Sequence, residues 1–439
     1  MNRSSLYHVA TLGCKLNQFD SAAIESLLLL HGMKRTADPA QARVVVVNTC
    51  TVTSAADSQS RQSIRRLRRQ SPGCMLIVTG CYAQRDPGAI AAIPGVDAVV
   101  GLRGQREIPE LIGRLAPEAL PVACIESAEN PLPCFADRTR AFLKIQEGCD
   151  LRCSYCVIPS VRGASRSVPA AAVIDQIARL AESGFQEIVF TGVNTGDYGK
   201  DLTPPSSLAA LLRRAAEVPG VGRLRLNSVE PRCVTEDLIE VIAASAKIAP
   251  HLQVPLQSGS DPVLARMRRP YRTRDYGKVL ERIRRRIPEA GLGADVIVGF
   301  PGETEQDFQN TRDFIAASEL NYLHVFSFTP RPGTPAAGLP GAVPGVVLKK
   351  RSAELRTTGQ ELSRRFRDSF VGKELEVLGL REILPEGRVR GLSGNFIDVE
   401  LEAEPELSFN RLVRARVTGA GPRSVTAVPS PSPAPERSR

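Results

Sequence analysis

The segment Lys144-Ile-Gln-Glu-Gly-Cys149-Asp-Leu-Arg-Cys153-Ser-Tyr-Cys156-Val-Ile-Pro159 places three cysteines within eight residues, spaced Cys-x3-Cys-x2-Cys. Iron–sulfur clusters are held by cysteine thiolates, and three of them can hold three irons of a 4Fe–4S cube. No fourth cysteine lies close by, so the fourth iron would be open to a small molecule. Zinc usually takes four ligands, often from paired Cys-x2-Cys arms, and no second arm follows here. Buried structural cysteines are common, but three in one turn-rich segment are not. The spacing favours a cluster with one open iron.

The rest of the chain sets the context. Its 439 residues suffice for two or three domains with buried cores. A net charge of +10 suits a polyanionic partner. No apolar run approaches the ~20 residues needed to span a bilayer. The opening Met1-Asn-Arg-Ser-Ser-Leu-Tyr-His8 leads directly into a strand-like segment and lacks a signal-peptide core. Ten cysteines without such a signal indicate a reducing cytosol and no membrane attachment.

Three short apolar runs stand out in the N-terminal third: Tyr7 to Leu12, Val44 to Val47 and Met75 to Val78. Each reads as a buried parallel strand. Each ends in a polar turn with a cysteine: Leu12-Gly-Cys14, Asn48-Thr-Cys50 and Thr79-Gly-Cys81. Helix-like patterns follow the first two, over about 20–31 and 55–70. In parallel α/β sheets ligands bind beyond the carboxyl ends of the strands. Cys14, Cys50 and Cys81 are therefore expected at one edge, as a second three-cysteine set. Cys74, Cys124, Cys134 and Cys233 show no such pattern and read as structural or incidental. On the second helix, Arg61, Arg65, Arg68 and Arg69 share a face. A solvated helix face is the ordinary account of such a run, and an RNA phosphate contact is the sharper one.

After Pro131-Leu-Pro133 the strand–helix alternation restarts. Strands are expected over 141–146, 187–191, 223–227, 252–256, 294–298 and 322–328, with helices over 170–183, 235–246 and 304–318. Six such units suggest an open, partial (β/α)6 barrel, not the closed eightfold form. Gly192, Asn194, Ser228, Glu230, Gln257, Val298 and Gly299 fall at the strand ends and are candidate cofactor contacts. A second basic stretch includes Arg268 and Arg269, with Tyr271 and Tyr276 interleaved. Guanidinium and aromatic planes stack on unpaired bases, so these arginines join the candidate RNA contacts.

From Gly372 the helical texture gives way to short alternating strands over 373–379, 387–392, 396–401 and 412–418. They suggest a small antiparallel β-barrel. Seven basic against nine acidic residues between Lys373 and Thr418 make it slightly acidic. From Pro422 the chain is rich in proline and serine and reads as a disordered tail. The expected division is an α/β domain over 1–125, the barrel core over 135–368, the small β-barrel over 369–420 and the tail over 421–439.

In this order, with its Cys149-x3-Cys153-x2-Cys156 loop, the chain resembles the methylthiotransferase family of radical S-adenosylmethionine enzymes along nearly its whole length. The small barrel resembles that family's TRAM domain. Thr11-Leu-Gly-Cys14-Lys-Leu-Asn-Gln18, Asn48-Thr-Cys50-Thr-Val-Thr53 and Thr79-Gly-Cys81-Tyr-Ala-Gln84 look most like the bacterial branch acting on threonylcarbamoyladenosine in tRNA. The isopentenyladenosine branch usually has Gly-Cys-Gln-Met-Asn at the first motif. The resemblance implies two 4Fe–4S clusters, one on Cys149, Cys153 and Cys156, and an auxiliary one on Cys14, Cys50 and Cys81. It implies S-adenosylmethionine as cofactor and a tRNA anticodon stem-loop as substrate. An electron donor of flavodoxin or ferredoxin type and a sulfur donor would be partners. The implied reaction places a methylthio group at carbon 2 of the adenosine at tRNA position 37, a C–H that acid–base chemistry does not readily replace. A threonylcarbamoyl group carries a carboxylate, so its site should offer a cation or hydroxyl donors. Lys15 and Thr51 are candidates. The readings from other classes are a zinc-stabilised RNA-binding protein without catalysis and a redox protein using its clusters for electron transfer alone.

Overall fold

Val44, Val45, Val46 and Val47 are all completely buried, as a strand covered on both faces requires. In the computed structural model, which describes residues 5–120, 133, 135, 138–403 and 405–430, this run sits at the centre of a five-stranded parallel sheet. The strands are β1 (Leu6–Thr11), β2 (Lys34–Arg35), β3 (Val44–Thr49), β4 (Met75–Gly80) and β5 (Ala98–Val99), in the order β2-β1-β3-β4-β5. Helices α1 (Lys15–Leu30), α2 (Ser54–Gln70), α3 (Cys81–Arg85), α4 (Pro87–Ala91) and α5 (Ile108–Leu115) complete it. Alternate residues of β3 serve two cores. Val44 and Val46 pack with Ile24, Leu28 and Ile108, whereas Val45 and Val47 pack with Ile64, Leu67 and Ile90. The register pairs Thr11 with Asn48 and Asn48 with Thr79, so three strands end level with one another.

The chain continues through β6 (Arg140–Lys144), β7 (Gln146–Glu147), the cysteine loop, α6 (Ile158–Arg162) and β8 (Arg166–Ser167). Two compact units emerge. The first comprises the described residues within Met1–Ala136, Gln146–Arg166 and Thr329–Ala337. The cysteine loop thus falls with the N-terminal sheet, not with the barrel strands as the expected boundaries had it. Its own packing is the reason: Cys81 forms a buried cluster with Val157 and Val161.

The second unit holds β6, β9 (Glu187–Thr191), β10 (Arg223–Leu226), β11 (His251–Gln253), β12 (Gly291–Val298) and β13 (Tyr322–Ser327). All six correspond to the expected strands. They form two parallel three-stranded sheets, β10-β9-β6 and β11-β12-β13, and a parallel bridge between Ser228 and Gln253 joins the two. Helices α7 (Ala170–Glu182), α8 (Leu208–Glu217), α9 (Glu236–Ala244), α10 (Asp261–Arg266), α11 (Thr273–Arg286) and α12 (Glu305–Ala317) lie between them, and α13 (Gly345–Asp368) follows β13. Among the described residues, no helix is long and apolar enough to cross a membrane.

The same unit includes a closed five-stranded barrel of β14 (Glu374–Ile383), β15 (Val389–Ser393), β16 (Asp398–Leu401), β17 (Leu412–Ala420) and β18 (Val425–Pro429). β18 corrects the expectation of a disordered tail from 421. Val425 and Ala427 are fully buried inside the barrel, and this alternation outweighs the prolines that flank it. The rest of the expected tail, 431–439, lies outside the described residues, as do Cys124 and Cys134. A buried ionic clasp ties the barrel to the parallel strands. Glu187 receives Arg223 Nε at 2.6 Å and Arg225 Nε at 3.0 Å. The remaining guanidinium nitrogens donate to barrel carbonyls: Arg223 to Leu392 at 2.9 Å, and Arg225 to Ser393 at 2.9 Å and Gly394 at 2.8 Å. Burial opposes the Glu187 charge, but Arg225, Arg223 and Arg140 outweigh it and hold the carboxyl well below its usual range.

Candidate cluster-binding site

The level strand ends deliver the three dispersed cysteines to one edge of the first unit. Cys14 occupies the N-cap position of α1, Cys50 follows β3 and Cys81 opens α3. Asn17 ties two of the ends together, donating to Leu12 O at 2.8 Å and Thr49 O at 3.0 Å. Gly13 adopts φ +100°, and a Cβ there would meet Cys50 Cβ at 2.6 Å and Sγ at 2.7 Å, so the residue before Cys14 must be glycine. Cys14 is exposed, whereas Cys50 and Cys81 are buried. Burial pushes the Cys50 thiol up against two backbone N–H groups, those of Val52 and Thr51. Burial pushes Cys81 up to about 12, against the pull of Arg162, and Cys14 raises both thiols. The three sulfurs thus share one electrostatic neighbourhood.

Behind Cys50 lies a second set of charges. Thr51 is fully buried and donates to Asp57 Oδ1 at 2.6 Å. Asp57 Oδ2 lies 3.0 Å from Arg85 Nη1 and 2.9 Å from Arg331 Nη1. Asp57 thus holds two guanidiniums, and its own charge adds to the rise of the Cys50 thiol. This commitment removes Thr51 from the candidate donors to a substrate carboxylate.

The contiguous set has a different construction. Cys156 N donates to Cys153 O at 3.2 Å, Cys149 N to Gly163 O at 3.0 Å, and Ser165 N to Asp150 Oδ1 at 3.2 Å. Gly148 adopts φ +74°, and a Cβ there would stand 1.9 Å from Ala164 O. Ala336 N donates to Ser154 O at 2.8 Å. Cys149 and Cys153 are buried and Cys156 is half-buried. Among the described residues, no group of three His, Cys, Asp or Glu side chains already forms a closed metal-holding set. The donor chemistry nevertheless fits iron–sulfur clusters: two sets of three soft thiols, each beside a glycine whose missing Cβ leaves room.

In the second unit the expected cofactor contacts lie at the carboxyl ends of parallel strands. Val298 ends β12, and Gly299, at φ +75°, donates its N–H to Glu303 at 3.1 Å. Glu303 is held by Arg351 Nη1 at 2.7 Å. Gln257 is in the left-handed region and bridges to Val296. Asn194 donates to Asp197 Oδ2 at 2.6 Å, and Ser228 O accepts from Thr195 at 2.7 Å. Gly192 directly follows β9 and its Thr191. Glu230 is ion-paired with Arg269, and burial raises its carboxyl against that pair.

That ion pair corrects one expectation. Arg269 is 6% exposed and lies over the Tyr271 ring, so it is committed to Glu230 and cannot reach a phosphate from this position. Tyr271 and Tyr276 are buried, which rules out base stacking, whereas Arg268 is exposed. On α2, Arg68 donates to Pro72 O and Cys74 O, both at 3.0 Å, and pairs with Asp97. Arg61 donates to Tyr82 OH at 2.7 Å. Arg65 and Arg69 are exposed, and Arg66 with them. Sequence reading missed Asn17, Asp57, Arg85, Arg162 and Arg331, whose partners are distant in the chain.

Residues 6–101 match the family described as Uncharacterized protein family UPF0004, and residues 143–315 match the Radical SAM superfamily. The chain is 38% identical over 421 residues to the threonylcarbamoyladenosine tRNA methylthiotransferase MtaB of Bacillus subtilis (strain 168), covering 94% of this chain and 93% of that protein. The chain belongs to the methylthiotransferase family of radical S-adenosylmethionine enzymes. As a member of that family it works with 4Fe–4S clusters and S-adenosylmethionine. It is also 36% identical over 438 residues to the tRNA-2-methylthio-N(6)-dimethylallyladenosine synthase of Acidothermus cellulolyticus, covering 97% of this chain and 86% of that one. Among solved structures, the radical S-adenosylmethionine methyltransferase TsrM from Kitasatospora setae matches with a TM-score of 0.55 at 17% identity, over 76% of this chain and 77% of that chain. That likeness is one of fold.

Proposed function

We propose that this methylthiotransferase acts on N6-threonylcarbamoyladenosine at tRNA position 37 and gives the 2-methylthio product. The observation that carries the reading is the identity of 38% to a protein of that name across 94% of the chain. Cys149, Cys153 and Cys156 would hold the cluster that binds S-adenosylmethionine, and Cys14, Cys50 and Cys81 the auxiliary one. When bound, the clusters supply an electron for cleaving S-adenosylmethionine and a site at which sulfur is delivered.

The chain's own residues supply position and charge. Gly13 and Gly148 leave space where a side chain would displace a ligand loop. Arg85 and Arg331 hold Asp57 and Thr51 in place behind Cys50. Gly192, Asn194, Ser228, Gln257, Val298 and Gly299 present backbone and amide groups to S-adenosylmethionine, and Arg269 keeps Glu230 paired beside them. The exposed arginines of α2 face the phosphates of an anticodon stem-loop, whose target base must leave the stack to be modified. A flavodoxin- or ferredoxin-type donor and a sulfur donor complete the reaction in the cytoplasm.

The test is a competition assay. Anaerobically reconstituted enzyme receives equal amounts of threonylcarbamoyl- and isopentenyl-bearing tRNA, and the nucleosides are resolved by mass spectrometry. Methylthiolation of the threonylcarbamoyl nucleoside is expected. The dimethylallyladenosine synthase relative, at 36% identity over 438 residues, supports the second reading. Product confined to isopentenyl-bearing tRNA would establish that reading and overturn the first.

A further inference from the structure

Arg162 closes α6, six residues beyond Cys156, and its side chain is 1% exposed. All three of its guanidinium nitrogens donate. Nε donates to Cys81 Sγ at 3.3 Å, Nη1 to Glu147 Oε1 at 2.7 Å, and Nη2 to Asn17 Oδ1 at 2.9 Å and Asp20 Oδ2 at 3.0 Å. Each partner adjoins a cysteine segment. Cys81 is itself a dispersed cysteine, Asn17 and Asp20 lie on the helix that Cys14 begins, and Glu147 lies two residues before Cys149. One buried cation therefore touches elements of both cysteine sets within the first unit.

Asp20 and Glu147 are met by the two Nη atoms, so ion pairing alone does not require the contact of Nε to sulfur. A hydrogen bond to a cluster sulfur, with a positive charge behind it, stabilises the reduced and more negative cluster. An arginine suits this task better than a lysine, because its planar fork serves several acceptors at fixed angles. We infer that Arg162 is a positioning residue of the auxiliary cluster, raising that cluster's reduction potential through Cys81 and fixing the Cys14 helix against the Cys149 loop. The inference rests on the reading that Cys14, Cys50 and Cys81 hold a cluster.

The experiment isolates that cluster in full-length protein carrying Cys149→Ala, Cys153→Ala and Cys156→Ala, reconstituted anaerobically. Iron content is measured first, then the midpoint potential by electron paramagnetic resonance titration. Arg162→Gln should make reduction at least tenfold less favourable, about 59 mV for one electron. Arg162→Lys, which keeps the charge but not the fork, should fall between. Asp20→Asn removes a negative charge from the same network and should shift the potential the opposite way. Absence of iron in the parent variant overturns the cluster reading, and the inference with it. A cluster whose potential is unchanged by Arg162→Gln overturns the inference alone. Where Arg162→Gln loses the cluster, Arg162→Lys decides: a lowered potential supports the inference and an unchanged potential overturns it.

Discussion

The two cysteine sets solve one chemical problem in opposite ways. Cys149, Cys153 and Cys156 lie in a loop that fastens itself, through Cys156 N to Cys153 O and Cys149 N to Gly163 O. Cys14, Cys50 and Cys81 are separated by whole strand–helix units and meet because β1, β3 and β4 end in register. The first set is a property of a short sequence, the second a property of a fold. The dispersed set depends on long-range partners such as Asn17 and Arg162.

The largest effect should come from removing either set outright. Alanine at Cys149, Cys153 and Cys156 should remove about half of the iron, since cysteine thiolates hold such clusters, and abolish formation of 5′-deoxyadenosine from S-adenosylmethionine. Alanine at Cys14, Cys50 and Cys81 should remove the other half and leave that cleavage intact. Iron analysis with chromatography of the nucleoside checks both. Full iron in either triple variant would end the two-site comparison.

A perturbation outside both sets gives the baseline. Glu187→Gln leaves Arg140, Arg223 and Arg225 without their buried anion. Breaking such a pair costs about 3–5 kcal/mol, to be seen as a lower urea midpoint of the second unit, with iron content in folded protein unchanged. The pH dependence has a definite sign. Because the folded-state pKa of Glu187 is held below its unfolded value, the stabilisation is complete above the unfolded carboxylate range. It is lost as pH falls below about 4. Glu187→Gln should therefore flatten the acid limb of the stability profile, and an unchanged acid limb would assign that limb to other groups.

The glycines beside each set sharpen the contrast. Gly148→Ala forces a left-handed φ and a clash with the Ala164 backbone, whereas Gly13→Ala, also left-handed, meets the Cys50 side chain and the Asn17 amide. Left-handed strain costs about 1–3 kcal/mol in each. Gly148→Ala should deplete loop-cluster iron and 5′-deoxyadenosine formation. Gly13→Ala should deplete the auxiliary cluster alone, because the added Cβ meets Cys50 Cβ, which rotation of the side chain does not move. Equal losses from both clusters in either variant would mean that the sets do not assemble separately.

What the sequence disclosed follows the same division. Spacing was enough for the loop cysteines. The meeting of the dispersed ones at one edge was legible because each follows a short apolar run at the same place in a strand–helix unit, a pattern that survives gaps of 36 and 31 residues. Arg162 was not legible, since its partners Asn17 and Asp20 lie 145 and 142 residues away, and nothing local distinguishes it from a surface arginine. Arg68 and Arg269 show the reverse error. Both lie in basic runs, yet Asp97 and Glu230, far off in the chain, draw them inward. β18 was hidden by proline content, because the period-two alternation of Val425 and Ala427 spans too few residues to outweigh it.

The smallest effect, and the one that asks most of the structure, concerns the arginines left outside. Helix α2 presents Arg65, Arg66 and Arg69 to solvent, while Arg61 and Arg68 are turned to Tyr82 and Asp97. Each exposed guanidinium that meets a phosphate releases condensed counterions, so its removal should lower the salt dependence of tRNA binding as well as the affinity. Charge reversal at Arg65, Arg66 and Arg69 should weaken binding at low salt and reduce the slope of log K against log salt by about one for each phosphate no longer neutralised. Iron content should stay at the parent value, because all three side chains are exposed to solvent. Reversal at Arg68 should instead lower stability, since it leaves Asp97 facing a new carboxylate beside the start of β4. Binding isotherms over a salt series, with urea unfolding of the same proteins, separate the two results. A slope unchanged by the triple reversal would make the exposed face of α2 an ordinary solvated surface and move the tRNA interface to another part of the enzyme.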